Sequence, residues 1–341
     1  MAGQNESIDQ NMKADSQEQA FATLTPDTIL DAVESTGVSC NGQMLALNSY
    51  ENRVYQIGLD EGPPLVAKFY RPNRWSDQAI LEEHRFTIEL AEQEIPVIAP
   101  IIDKEGSTLM YHEGCRFALY PCKGGRAPEL DDPSHLVQLG RFIARIHLLG
   151  STCPFEHRPG IDQEGFLYQP SSFLLENGFI PSHLETAYET LLSDLKRRIE
   201  SCYARAGAFN SIRLHGDCHP GNILWRDKGP QIVDFDDARM GPAIQDLWMF
   251  LSGDRSYMSE RMADLLEGYS QFCDFNPAEL HLLEALRTMR LVHYAGWLAR
   301  RWYDPAFPKA FPWFDSMAFW EEHILTLREQ LAKMDEPPIA W

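Results

Sequence analysis

The hydrophobic period of this 341-residue chain changes once, at Lys123-Gly124-Gly125-Arg126, and that change limits what it can fold into. Before it, residues 43–47, 53–59 and 65–70 read as short strands divided by turn residues, an antiparallel meander. A helix over 76–94 follows, capped by Ser76 and closed by Ile95-Pro96; residues 97–102, 108–112 and 115–120 then read as further strands. An earlier helix starts at Thr25-Pro26-Asp27, with Thr as cap and Pro in the first turn, and stops at Gly37. After the Gly-Gly link, apolar residues recur at helical spacing. Leu136, Leu139, Ile143 and Ile146 do so within 134–149, and 182–206, 258–273 and 277–303 continue the pattern. A β-rich part followed by a helical part predicts an α+β chain of two lobes around a cleft, the first over 21–122 and the second over 123–341. Residues 1–20, polar and without apolar period, read as a disordered tail.

The helical part contains Leu214-His215-Gly216-Asp217-Cys218-His219-Pro220-Gly221-Asn222 and then Asp234-Phe235-Asp236-Asp237, with a short hairpin predicted between them over 223–225 and 231–233. An oriented carboxylate at Asp217 can accept the hydrogen bond, and late in transfer the proton, of an attacking hydroxyl; the competing reading is a turn in which Asp217 bonds local amides. Asn222 and Asp234 offer hard oxygen ligands to Mg²⁺ held against nucleotide phosphates, with Asp236 in reserve. Asp237 reads as a cap for the next turn, and Asp246 as a buried carboxylate bonding the backbone of the catalytic loop. His215 reads as a buttress of that loop, and His219 as helping to hold it or approaching the phosphate. The His-x-Asp-x-His spacing also suits zinc, but no third His or Cys stands at ligand spacing to complete a site.

In the β-rich part, Lys68 lies inside the apolar strand Leu65-Val66-Ala67-Lys68-Phe69-Tyr70. A charge there is costly unless it meets a partner, and nucleotide phosphates together with Glu82 or Glu83 would supply one; the competing reading is an edge-strand Lys facing water. The loop Asn48-Ser49-Tyr50-Glu51-Asn52 lacks a Gly-x-Gly-x-x-Gly pattern, so phosphates would meet the Ser49 hydroxyl and backbone N–H groups, with a plain hairpin turn as competitor. Arg287, Arg290, Arg300 and Arg301 are read as stems packed on the lobe surface with solvated heads, rather than as a substrate lining. The aromatic residues from Phe307 to Trp320 are read as core or lobe-covering packing.

A net charge of −20 argues against nucleic acid and anionic membranes as partners, and tolerates cationic substrates. No apolar run approaches a membrane span, no secretion-signal pattern opens the chain, and the seven cysteines never stand as C-x-x-C. The expectation is a cytoplasmic monomer with reduced thiols.

The segments His-Gly-Asp-Cys-His-Pro-Gly-Asn-Ile-Leu and Val-Asp-Phe-Asp-Asp-Ala resemble the aminoglycoside phosphotransferase and choline kinase superfamily. Residues 47–55, 66–72 and 80–84, with Asp304-Pro305-Ala306-Phe307-Pro308, extend a likeness to its bacterial stress-linked protein kinases over nearly the whole chain after the tail. The resemblance implies a bilobal protein-kinase-like fold and an ATP- and Mg²⁺-dependent Ser/Thr protein kinase that also phosphorylates itself and serves stress survival. Carried over by position, Asp217 and Asp234 are catalytic, Asn222 and Asp234 bind metal, Ser49 contacts ATP and Lys68 the phosphates. Glu83 is preferred to Glu82 as partner of Lys68, and backbone groups from Leu119 through Tyr120 to Cys122 face adenine. Gly216 stands where ordinary protein kinases carry Arg, Asp236 replaces the Gly of Asp-Phe-Gly, and no Ala-Pro-Glu segment follows, which argues against a phosphorylation-switched activation loop. The alternative is a small-molecule kinase acting on an aminoglycoside, choline-like or other hydroxylated metabolite; a silent nucleotide-binding module is the rival of another class.

Overall fold

The computed structural model describes residues 21, 23–226 and 229–340; the predicted tail over 1–20 lies outside them. The chain divides into two compact units. The first comprises the described residues up to Gln93, then Val97–Gly124 and Arg301–Phe311; the second comprises Glu94–Pro96, Gly125–Arg300 and the residues from Pro312 onward. The sequence reading draws one boundary after residue 122; in the structure the main boundary follows Gly124, residues 94–96 belong to the second unit and residues 301–311 to the first.

In the first unit, helix α1 (Pro26–Glu34) begins where Thr25 Oγ1 accepts from Thr28 N at 3.2 Å. Five antiparallel strands lie in the order β1 (Cys40–Ala46), β2 (Arg53–Leu59), β3 (Leu65–Phe69), β5 (Cys115–Pro121), β4 (Met110–His112). Side chains alternate between the two faces of such a sheet. Ala67 and Phe69 therefore join Ile57, Phe117 and Leu119 against Ile29 and Val33 of α1. The intervening Lys68 is paired in register with Ala118, which clusters on the other face with Ile80 of α2 (Asp77–Glu92). Residues 97–102, predicted as a strand, form none: Pro96 and Pro100 have no N–H to give a ladder, and one bond, Ile101 N to Leu119 O at 2.7 Å, ties the segment to β5.

The second unit starts with α3 (Pro133–Gly150). A π-helical turn (Glu164–Tyr168) runs into α4 (Gln169–Glu176), a pair that sequence periodicity does not reveal, and α5 (Ser182–Ala206) follows. Strand β6 (Ile212–Leu214) pairs with β9 (Arg239–Gly241), and β7 (Ile223–Arg226) with β8 (Gly229–Ile232). Helices α6 (Gln245–Trp248), α7 (Arg255–Tyr269) and α8 (Leu283–Arg300) follow; a 3₁₀ turn over Pro277–Leu282 precedes α8, so the predicted 277–303 helix is two elements. The short α9 (Ala306–Ala310) lies in the first unit, and α10 (Met317–Lys333), capped by Ser316, returns to the second. Helices α3 and α7 approach at their backbones: a Cβ on Gly140 would stand 2.0 Å from Leu265 O, and one on Gly268 1.9 Å from Val137 O. That contact fixes α3, which carries His147 to Asp246. Among the described residues no helix is long and apolar enough to cross a membrane.

Candidate active site

Asp217 follows β6 and Asp234 follows β8, so the two sheet fragments of the second unit deliver the two carboxylates. Three hydrogen bonds tie the intervening chain together. Asn222 Nδ2 donates to Asp217 O at 3.0 Å, Val233 N donates to Asn222 O at 3.0 Å, and His215 Nε2 donates to Val233 O at 2.8 Å. With its proton on Nε2, His215 uses Nδ1 to accept from Asp217 N at 3.3 Å, so neither ring nitrogen is left for a metal. This is the buttress read from the sequence, and it links the chain two residues before Asp217 to the residue before Asp234.

Beneath the loop lies Asp246, 1% exposed. Its Oδ2 accepts from His215 N and its Oδ1 from Gly216 N, both at 2.8 Å, while His147 Nε2 stands 3.2 Å away and Tyr269 OH holds the other ring nitrogen at 2.9 Å. Burial alone would raise the Asp246 carboxyl, but the His147 hydrogen bond and charge, with His215 and the Gly216 amide, hold it below its ordinary value. Gln245 Nε2 adds a bond to Gly216 O at 2.9 Å. Gly216 itself has φ +84°, and a Cβ there would stand 2.1 Å from Asp237 O. This is why the Arg of ordinary protein kinases has no place in this loop. Gly216→Ala is expected to cost at least about tenfold in turnover and to lower the melting temperature; normal kinetics and melting would show that the loop yields.

The turn after β8 is pinned from below by Arg158 Nη1, which donates to Asp236 O at 2.9 Å and Ala238 O at 2.7 Å. Asp234 is exposed and left-handed (φ 61°, ψ 65°), a conformation costly for a residue with a Cβ, while Phe235 and Asp236 are buried. Asp237, expected to cap the next turn, lies 3.6 Å from Arg239.

Arg290 of α8 reaches the Asp217 carboxylate. Its Nη1 lies 2.6 Å from Asp217 Oδ1 as an ion pair without the alignment of a hydrogen bond, and His219 Nε2 lies 3.6 Å from Oδ2. Sequence reasoning placed Arg290 among solvated stems, and nothing in the helix pattern separates it from Arg287, which pairs with Glu284 at 2.8 Å, or Arg300, which lies over the Phe173 ring. Burial lowers the His219 pKa, with Asp217 opposing and Arg290 adding to the shift. Cys218 is fully buried, and burial pushes its thiol far up, so it is no nucleophile.

The other sequence candidates belong to the first unit. Lys68 is 6% exposed and Glu83 2%, whereas Glu82 is half-buried. Lys68 Nζ lies 5.5 Å from the centre of the Tyr70 ring, whose hydroxyl meets His84 Nε2 at 2.7 Å and Tyr120 OH at 3.0 Å; that His84 nitrogen is 3.9 Å from Glu83 Oε2. Ser49 Oγ donates to Asn52 O at 3.3 Å. The Leu119 carbonyl is taken by Ile101 N, Tyr120 lies near the end of β5, and Cys122 just past it.

Residues 44–283 match the phosphotransferase enzyme family. The chain belongs to that family. It is 44% identical over 319 residues to stress response kinase A of Escherichia coli (strain K12), spanning 94% of this chain and 96% of the relative. Serine/threonine protein kinase RdoA of Salmonella typhimurium (strain LT2) matches at the same identity and coverage. Among solved structures, amicoumacin kinase hAmiN in complex with AMP-PNP, Ca²⁺ and Ami has a TM-score of 0.69 at 19% identity, over 90% of this chain and 93% of that one. A microcompartment-associated aminopropanol kinase also scores 0.69, at 15% identity over 89% and 97%. This phosphotransferase is therefore a kinase with the protein-kinase-like fold of its family.

Among the described residues no three His, Cys, Asp or Glu side chains gather as a metal centre. Mg²⁺ takes few protein ligands and completes its shell from phosphates and water. Asn222 donates its amide nitrogen to Asp217 O, so its side-chain carbonyl oxygen and the exposed Asp234 carboxylate are the ends that would hold the ion. The donor set of this phosphotransferase fits the ion.

Proposed function

We propose that this kinase transfers the γ-phosphoryl group of ATP, with Mg²⁺, to Ser or Thr hydroxyls of proteins, itself included, and acts in a bacterial stress response. The observation that carries the chemistry is the hydrogen-bonded union of Asp217, Asn222 and the chain entering Asp234. The named relatives at 44% identity over 94% of the chain carry the acceptor class. When bound, Mg²⁺ neutralises charge on the phosphate oxygens. Asp217 accepts the hydroxyl's hydrogen bond and takes its proton late in transfer, while Asn222 and Asp234 hold the ion. Lys68, aligned by Glu83, and the Ser49 loop hold phosphates, and backbone groups between Leu119 and Cys122 meet adenine. The enzyme works as a cytoplasmic monomer.

A small-molecule acceptor is the second reading, since the solved neighbours are named for amicoumacin and aminopropanol. Arg290 weighs against a cationic one: a guanidinium 2.6 Å from the base repels an ammonium group entering beside it. Arg290→Met is expected to lower kcat about tenfold, roughly 1.4 kcal/mol of barrier, with the fold intact by circular dichroism. Labelled ATP and Mg²⁺, supplied to the protein alone, then with cell extract and with a metabolite panel, test the acceptor. Labelled protein bands that vanish in Asp217→Ala support the proposal; label confined to a small molecule overturns it.

A further inference from the structure

The loop from Asn48 to Asn52 contains no glycine, so something outside it must impose its shape. Arginines do so on three successive carbonyls. Arg71 donates from Nη2 to Tyr50 O at 3.3 Å and from Nε to Glu51 O at 2.9 Å, while Arg53 Nη1 reaches Tyr50 O and Asn52 O, each at 3.4 Å. Asn52, buried, accepts from Arg71 N through Oδ1 at 3.1 Å. In a trans peptide the N–H points opposite to the C=O. Three carbonyls drawn toward guanidinium groups thus turn the amides of residues 51, 52 and 53 the other way, the orientation a backbone anion site requires.

The returning segment 301–311, in the same unit, holds those arginines and the loop. Arg301 meets Glu51 at two points: Nη2 donates to Oε1 at 2.8 Å, and Nε lies 2.6 Å from Oε2 as an ion pair without the alignment of a hydrogen bond. Arg71 and Arg74 approach the same carboxylate at 3.3 and 3.7 Å. Asp304 takes Arg71 Nη2 at 2.8 Å and lies 3.6 Å from Arg53, while its other oxygen accepts from Ala306 N at 3.0 Å at the start of α9. Phe307 lies under the Arg71 guanidinium at 5.6 Å, and Phe311 packs on Tyr50 with ring centres 4.7 Å apart. Burial would raise the Glu51 carboxyl, but Arg74, Arg301 and Arg71 hold it below its usual value.

We propose that Arg301 and Asp304 are positioning residues for nucleotide binding: the 301–311 segment is a strap that locks the Asn48–Asn52 loop in its phosphate-receiving shape. The strap does by ion pairing what glycine flexibility does in other phosphate loops. The proposal rests on the kinase reading, through the assignment of this loop to ATP phosphates.

Its test measures ATP·Mg²⁺ affinity by calorimetry and KM against kcat in Arg301→Met, Arg301→Lys, Glu51→Gln and the Glu51→Gln/Arg301→Met double variant, with melting temperatures. Arg301→Met and Glu51→Gln are expected to raise Kd and KM for ATP about tenfold with kcat within about threefold of the parent. The double variant is expected to lose no more than Glu51→Gln alone, because that change already removes the partner of Arg301. Arg301→Lys should fall between, keeping the charge but not the two-point contact. Phe311→Leu leaves every charge in place and serves if the charge variants fail to fold; it should raise KM with little change in kcat. Melting temperatures that fall while Kd and KM hold would reduce the strap to a structural tie and overturn the proposal. A parent protein that binds no ATP would sink the kinase reading itself, a result separate from parent-like ATP affinity in the variants.

Discussion

Asp217→Asn is expected to fold, to bind ATP·Mg²⁺ as the parent does, and to lose turnover by about 10²–10⁴-fold, the range for removing a positioned general base. The amide keeps the size of the carboxylate but cannot take a proton, and it gives up the ion pair with Arg290 at 2.6 Å. The loop geometry should survive, because it depends on the Asp217 backbone: the carbonyl bound by Asn222 Nδ2 and the amide bound by His215 Nδ1. Initial rates with labelled ATP, beside calorimetric ATP binding, make the check. Activity within a few fold of the parent would mean that another group serves the acceptor hydroxyl.

Asp246→Ala is expected to have the largest effect on stability, about 3–5 kcal/mol by chemical denaturation, as for removing one member of a buried pair. It leaves the amides of His215 and Gly216 and the ring of His147 without their acceptor. The Asp246 carboxyl titrates below its ordinary range when folded. Its contribution is therefore fully present above the unfolded value near about 4 and is lost as pH falls through the lower folded value. Asp246→Asn should flatten that acid limb; an unchanged pH profile of stability would show that the carboxylate is not the group responsible.

Much of the second unit's site arrangement was legible because it is local. The spacing of Asp217, Asn222 and Asp234 is set by one loop and one hairpin, and the bonds that gather them run between near neighbours in sequence. The role of Asp246 was also legible, since a carboxylate in an apolar run must find donors. Arg290, Arg301 and Asp304 were not, because their partners lie far along the chain and a helix pattern does not say which exposed-looking arginine meets a distant carboxylate. The strand expected over 97–102 failed on Pro100 within it and Pro96 just before it. The short α4 escaped because it enters through a π turn with no regular apolar period.

Phosphopeptide mapping after incubation with ATP and Mg²⁺, on the parent and on Asp217→Asn side by side, tests the central claim most directly. The account predicts phosphoserine or phosphothreonine on the parent and on added protein, and none above background with Asp217→Asn. Unmodified protein beside a phosphorylated metabolite, or equal modification of the two proteins, would contradict it.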